Sequence, residues 1–156
     1  MRTLFQNDYV VLTTRLFLGL LFVIISIDKI HDPAAFAASV ENYRILPESA
    51  ATFAATVLPW IELLCGIFLL TGIMVRGSSL LISFLLIVFI IAILSALGRG
   101  LDILCGCFTL DPNASRIGWN KVIENIGLLL LGVFLILSKS NRFSLERYLR
   151  ETHNGD

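Results

Sequence analysis

Four long apolar runs are the feature that most limits what this chain can fold into. They cover about residues 9–27, 52–74, 78–97 and 117–137. Each is close to the roughly 20 residues that a helix needs to cross a bilayer. Within lipid, the backbone N–H and C=O groups must be satisfied inside the protein, which favours helices over any open sheet. The pattern therefore predicts an all-α integral membrane protein with four spanning helices in one bundle.

The composition supports the same class of protein. Charged residues make up 15% of the 156 residues, whereas a soluble domain has about 25%. Twelve basic residues balance twelve acidic ones, which leaves no basic surface for nucleic acid. We expect a single membrane domain over residues 1–156 that ends in a polar tail, 138–156.

The segment between the first two runs predicts a short amphipathic helix at the membrane surface. Asp32 followed by Pro33 is typical of a helix start, and Pro47 ends the pattern. The alternative is a surface loop whose periodicity arose by chance. The apolar positions at helical spacing are Phe36, Val40 and Tyr43.

The basic residues predict which way the bundle faces. A tight turn at 75–77 makes the second and third spans antiparallel neighbours, and four spans place both termini on one side. That side carries six basic residues against five on the other. The short loop with Arg76 and the basic tail favour cytoplasmic termini in a bacterial inner membrane. Residues 98–116 would then face the oxidising periplasm.

The third loop contains Cys105-Gly106-Cys107. A disulfide needs Cα atoms roughly 4.4–6.8 Å apart, which Gly106 allows by bending the backbone. Such a strained bridge is easily reduced, so Cys105 and Cys107 are candidate catalytic thiols. The alternative is two free structural thiols. We expect no metal site, because the histidines, His31 and His153, fall on opposite sides of the predicted topology.

Several charges fall within the predicted spans, where they are costly unless paired. Counted from the cysteine side, Arg15 is roughly 18 Å deep and Glu62 roughly 15 Å, which predicts an Arg15–Glu62 ion pair. Lys121 and Glu124 are three residues apart and share a helix face, so they can pair. Either these charges only fix the helix register, or they line a polar pocket for a quinone head group and its protons.

Three further side chains enter this hypothesis. Trp60 and Trp119 lie toward the cysteine side, where tryptophans usually anchor a helix at the interface. The alternative is that they stack against a quinone ring. Cys65 lies deep in the second span and is expected to be a small buried apolar residue.

Short motifs occur in a fixed order along most of the chain: Arg15-Leu16-Phe17-Leu18-Gly19, Asp32-Pro33, Tyr43-Arg44-Ile45-Leu46-Pro47, Leu58-Pro59-Trp60-Ile61-Glu62 and Cys105-Gly106-Cys107-Phe108. Together they resemble the MauE/DoxX-like family of redox-associated membrane proteins. The resemblance implies a four-helix membrane bundle with a periplasmic cysteine motif. MauE-like members are associated with maturation of a disulfide-rich periplasmic subunit of methylamine dehydrogenase, and DoxX-like relatives with thiosulfate:quinone oxidoreduction.

Two functions remain open at this point. In the first, Cys105 and Cys107 exchange electrons between a periplasmic thioredoxin-like or disulfide-containing protein and the membrane quinone pool. In the second, the chain is a non-catalytic accessory subunit of a larger membrane redox complex. A transporter is disfavoured, because the sequence shows no paired broken helices.

Overall fold

The computed structural model describes residues 8–101, 103 and 118–138, and nearly all of these are helical. Four helices are 19–24 residues long and apolar enough to cross a membrane. The protein is therefore a multi-pass membrane protein, and the predicted all-α bundle with a short helix after the first span is confirmed. The helices are α1 (Asp8–His31), α2 (Pro33–Asn42), α3 (Glu48–Thr71), α4 (Val75–Gly98) and α5 (Trp119–Leu137).

The spanning helices alternate in direction, which gives the bundle two distinct ends. At one end α1 and α4 finish, α3 and α5 begin, and α2 lies between α1 and α3. We call this the α2 end. At the opposite end, the turn end, a three-residue turn joins α3 to α4. The segment with Cys105 and Cys107 links α4 to α5 in the sequence.

The spans are longer at the α2 end than the apolar runs predicted. α1 continues to His31 and α3 begins at Glu48, each four residues beyond the predicted limit. Polar side chains at a helix end do not interrupt its backbone hydrogen bonds, so hydropathy alone marks these ends too early. The extra turns matter because Lys29 lies in one of them.

The turn between the second and third spans lies at 72–74, three residues before its predicted position at 75–77. Gly72 adopts a left-handed conformation with φ 77°, and its N–H and that of Ile73 both donate to the carbonyl of Phe68 at 2.9 and 3.1 Å. Glycine commonly ends a helix in this way. α4 consequently begins at Val75, and the antiparallel arrangement of α3 and α4 is confirmed.

The short helix α2 forms as its sequence signals predicted. The Asp32 carboxylate accepts a hydrogen bond from the Ala35 N–H at 2.9 Å, and Pro33 occupies the first turn. Phe36 and Tyr43 are buried, so the apolar face of α2 is turned into the bundle. Burial raises the pKa of the Tyr43 phenol above its ordinary value, which keeps this side chain neutral.

Arg99 ties the turn after α2 to the end of α4. Its Nη1 donates to the carbonyl of Arg44 at 3.3 Å, and its Nη2 donates to the carbonyl of Tyr43. Its Nε donates to the carbonyl of Ser95 at 3.1 Å, close to the negative end of the α4 dipole. The left-handed Arg44, with φ 50°, is thereby held in place.

Two glycines set the register of α1 against α3. A Cβ added to Gly66 would lie 3.0 Å from the carbonyl oxygen of Gly19 and 2.9 Å from Cγ2 of Val23. Backbones approach this closely in membrane bundles only where the facing residues are small. Gly19 and Gly66 are therefore level with each other in the bundle.

α4 and α5 meet along a second row of small side chains. Ser79 and Ser83 of α4 are buried, and a Cβ on Gly132 of α5 would lie 2.5 Å from Oγ of Ser83. Among the described residues, neither serine hydroxyl has a hydrogen-bond partner. At the turn end, Arg76 Nη2 donates to the carbonyl of Ser138 at 3.5 Å.

The glycine contact can be tested by adding one methyl group. We expect Gly66→Ala to destabilise the protein by about 1–3 kcal/mol, because the backbone of α1 must move away. Gly127→Ala is the matched control, since no atom lies within 4 Å of a Cβ at this position of α5. It should be neutral or stabilise by up to about 1 kcal/mol. SDS titration of the protein in mixed micelles measures both, and equal stability of the two variants would contradict the contact.

Candidate functional site

The most deeply buried charges of the described structure form an ion pair between α1 and α3. Lys29 Nζ donates to Oε1 of Glu62 at 3.0 Å and to Oε2 at 2.8 Å. The two side chains are 2% and 1% exposed. Removing two charges from water costs several kcal/mol per ion unless the geometry is excellent, so the bidentate contact is what makes this burial tolerable.

The directions of α1 and α3 bring these two side chains together. In a helix every Cα–Cβ bond leans toward the N-terminus. Because the helices are antiparallel, Lys29 leans inward from the α2 end while Glu62 leans outward toward it. The long lysine side chain then spans the remaining distance between the two backbones.

Two aromatic rings close the pair off from other directions. Lys29 Nζ lies 4.8 Å from the ring centroid of Phe36 in α2 and 5.1 Å from that of Phe89 in α4. The electron-rich face of an aromatic ring attracts a cation at such distances. Four helices thus contribute to one charged centre.

The predicted Arg15–Glu62 ion pair is wrong, because Glu62 uses both carboxylate oxygens on Lys29. The prediction placed α1 and α3 as though their ends were level. With Gly19 opposite Gly66, Arg15 lies four residues toward the turn end and Glu62 four residues toward the α2 end. Their backbones are therefore about 12 Å apart along the helix axis. Arg15 is buried at its own level of α1.

Three of the four remaining predicted cofactor-binding residues lie on the outside of the bundle, and the fourth, Lys121, is partly buried. Trp60 is 55% exposed and Trp119 is 68% exposed, the positions expected of side chains that face lipid or its interface. Lys121 and Glu124 form the predicted pair, with Nζ and Oε2 2.8 Å apart. The Glu124 side chain is 49% exposed, so this pair is not part of the buried centre.

The structure describes one of the three cysteines, Cys65. Cys65 is buried and follows Glu62 by three residues on α3, consistent with the predicted role of a small apolar residue. Cys105 and Cys107, the predicted catalytic pair, lie outside the described residues. Leu101 and Ile103, which precede them, pack against a cluster at the α2 end that includes Tyr43 and Ile93.

Sequence reasoning missed Lys29 and Phe89 as members of the site. Residue 29 falls outside the first apolar run, 9–27, yet Lys29 continues the buried face of α1 at three- and four-residue steps. That periodicity was a usable signal. Phe89 gave none, since it is one apolar residue within an apolar run. The buried face of α1 consists of Val11, Arg15, Leu18, Gly19, Phe22, Ile25, Ser26 and Lys29.

The Lys29–Glu62 pair joins one cation and one anion at a 2.8 Å contact, so it adds no net charge to the interior of the bundle. Chemically it is a matched ion pair that Phe36 and Phe89 cover. This property does not by itself identify a reaction.

Removing one partner of the buried pair is expected to be costly. Glu62→Gln should lower stability by about 3–5 kcal/mol, because the Lys29 charge remains in a low-dielectric site. The double variant Lys29→Met, Glu62→Met should recover most of this loss. As a control, Glu124→Gln removes an exposed pair and should cost less than about 1 kcal/mol. SDS titration gives all three values; a double variant that is as unstable as Glu62→Gln would contradict the coupling.

Comparison with known proteins identifies relatives for this chain. A family model described as methylamine utilisation protein MauE matches residues 7–138. A protein named methylamine utilization protein MauE from Methylophilus methylotrophus is 29% identical over 86% of this chain and 72% of the relative. The proteins of the same name from Paracoccus denitrificans and Methylorubrum extorquens are 32% and 35% identical, over 76% and 74% of this chain.

The matches cover a larger share of this chain than of its relatives. It covers 64% of the Paracoccus denitrificans protein and 62% of the Methylorubrum extorquens protein, which is less than two thirds of each. No solved structure matches the chain. The family model spans all five helices, including the buried Lys29–Glu62 pair. This chain therefore belongs to the MauE family of membrane proteins.

Proposed function

We propose that this protein is a membrane thiol–disulfide redox protein that exchanges electrons between a periplasmic thiol partner and the membrane quinone pool. The observation that carries the proposal is the position of Cys105-Gly106-Cys107 in the sequence. The motif follows Ile103, which packs at the α2 end, the same end at which Lys29 and Glu62 form their buried pair. In the sequence, the cysteine motif thus comes directly after the end of the bundle that holds the buried ion pair.

The chemistry of the exchange is balanced without any further reactant. Formation of a disulfide from Cys105 and Cys107 releases two electrons and two protons. Reduction of a quinone to a quinol consumes two of each. A protein substrate transfers its electrons to this chain by thiol–disulfide exchange, through a mixed disulfide with one of the two cysteines.

The proposed orientation puts this exchange in an oxidising compartment. Both termini lie in the cytoplasm, as the short Arg76 loop and the basic tail favour, and the α2 end faces the periplasm. Disulfides form and persist in the periplasm and are rare in the cytosol. The bilayer in question is the bacterial inner membrane.

The names of the relatives favour a second candidate function. Each of the relatives described above is named as a methylamine utilization protein, which points to service of a larger system. This chain would then be an accessory subunit that acts by binding a partner. The two candidates differ in whether the cysteines are needed for turnover.

Substitution of the cysteine pair separates these candidates. We expect purified Cys105→Ser, Cys107→Ser protein to reduce a quinone with a dithiol donor no faster than the donor alone. Cys65→Ser is the matched control and should retain the wild-type rate, because Cys65 lies on α3 and is buried in the core of the bundle. The loss of quinone absorbance measures the rate. An unchanged rate in the double variant would exclude the redox function and leave the accessory role.

The orientation makes a separate prediction in intact cells. A membrane-impermeant thiol reagent added outside the inner membrane should modify Cys105 and Cys107 after mild reduction. Cys65 should stay unmodified until the protein is denatured. Mass spectrometry of the isolated protein reports each site. Modification of the pair only after the membrane is permeabilised would place the α2 end in the cytoplasm.

A further inference from the structure

The short helix α2 covers the buried ion pair at the α2 end of the bundle. Lys29 is only two residues from the end of α1, yet its side chain is 2% exposed. A lysine this close to a helix end ordinarily extends its charged group into water. Here the ring of Phe36 in α2 lies over Lys29 Nζ, with its centroid 4.8 Å away. α2 is therefore part of what keeps water from this charge.

The register of α1 and α3 shows how near the pair is to the surface. With Gly19 opposite Gly66, Lys29 lies about 9 Å nearer the α2 end than Glu62 along the helix axis. The lysine side chain thus reaches inward to its partner. The same side chain, turned outward, is long enough to place its ammonium group beyond the last residues of α1. The position of Lys29 therefore permits two arrangements, one paired with Glu62 and one hydrated.

Among the helices that the structure describes, α2 is the one held by the fewest buried side chains. Phe36 is its one buried residue, whereas each spanning helix buries at least five. Ala34 and Ala38, on the outer side of α2, are exposed. A segment with few buried apolar contacts opens at a lower free energy than the core of a protein. We therefore expect α2 to open before any spanning helix does.

The contacts that hold α2 in place lie just beyond its C-terminal end. A single residue, Asp32, separates α2 from α1. At the other end, the buried Tyr43 packs against α4, and the carbonyls of Tyr43 and Arg44 accept hydrogen bonds from the Arg99 guanidinium. Arg99 follows the last residue of α4 and is itself exposed. One accessible side chain thus connects the end of α2 to the spanning bundle.

We propose that α2 is a gate that controls the access of water to the Lys29–Glu62 pair, and that Arg99 holds this gate closed. In the closed state, Phe36 lies over Lys29. In the open state, α2 moves away, Phe36 leaves the pair and water solvates both charges. Because buried ions regain their solvation when water reaches them, hydration of the pair offsets part of the free energy lost with the Phe36 contact. The gate goes beyond the redox function proposed above and does not depend on it.

The alternative to a gate is a fixed cover that belongs to the core. In that case, α2 would leave the ion pair only when the whole bundle unfolds. Glu62 would then become accessible from water at the same rate as the middle of α1 and α3. The two possibilities differ in whether α2 can be loosened alone.

Chemical modification of Glu62 measures the opening of α2. The probe is a water-soluble carbodiimide with glycine ethyl ester, applied to the full-length protein in lipid nanodiscs, which leave both faces of the bilayer accessible. Mass spectrometry quantifies the modified carboxyl groups, and the exposed Glu48 of the same molecule is the internal reference. We expect Arg99→Gln to raise the rate at Glu62 roughly tenfold relative to Glu48, because hydrogen bonds from a charged group to the end of α2 are lost.

Two further variants provide the matched comparison. Arg76 donates a similar hydrogen bond to the carbonyl of Ser138, but at the turn end, so Arg76→Gln should leave the rate at Glu62 unchanged. Ala38→Gly loosens α2 at an exposed position without altering Arg99 or the ion pair. It should raise the rate roughly fivefold, because glycine weakens a helix relative to alanine. This variant serves if Arg99→Gln does not fold.

Hydrogen exchange distinguishes a gate from a general loss of stability. In Arg99→Gln, the amides of α2 should exchange faster, while those in the middle of α1 and α3 keep their wild-type rates. Faster exchange throughout the bundle, an equal rise in Arg76→Gln, or an unchanged rate at Glu62 in Ala38→Gly would overturn the gate. The cysteine pair has no part in these measurements, so the gate and the redox function stand or fall separately.

Discussion

The ion pair between Lys29 and Glu62 is the constraint on which the α2 end of this protein depends. A single charge buried in a membrane protein is costly, and only a close, well-oriented partner offsets that cost. The pair therefore requires that α1 and α3 stay in one register, which the Gly19–Gly66 contact provides. It also requires Phe36 of α2 and Phe89 of α4 to cover it. Four helices therefore meet around this one contact.

Much of the fold could be predicted from the sequence, because lipid leaves few alternatives. Four runs of sufficient length dictated four helices, and Asp32-Pro33 marked the start of α2 through capping chemistry. The relative heights of the helices could not be predicted in the same way. Counting residues from the ends of apolar runs assumes that all spans begin at one level, whereas a glycine contact in mid-membrane fixes the real register. Because of this difference in register, Glu62 pairs with Lys29 and not with the predicted partner, Arg15.

The site was less predictable than the fold for a related reason. A charge inside an apolar run is visible in the sequence, so Glu62 and Arg15 were found. An apolar groove between α3, α4 and the turn after α2 is made of ordinary apolar residues, such as Tyr43, Leu58 and Val88, and no local pattern distinguishes them. Only the packing of α3 and α4 beneath the turn after α2 brings them together. Membership in the MauE family establishes the type of protein. The contacts around Lys29 and Glu62 define what variants of this protein can test.

The contact between α4 and α5 has a mechanical consequence. The two helices meet through small residues, namely Ser79, Ser83 and Gly132, and are held together there by packing. At the turn end, the hydrogen bond from Arg76 to the carbonyl of Ser138 connects the two helices. At the α2 end, Val122 of α5 packs in one apolar cluster with Ile93 and Ala96 of α4. The two helices are therefore in contact at both ends of their shared interface, and a change in the tilt of α5 would have to break contacts at each of them.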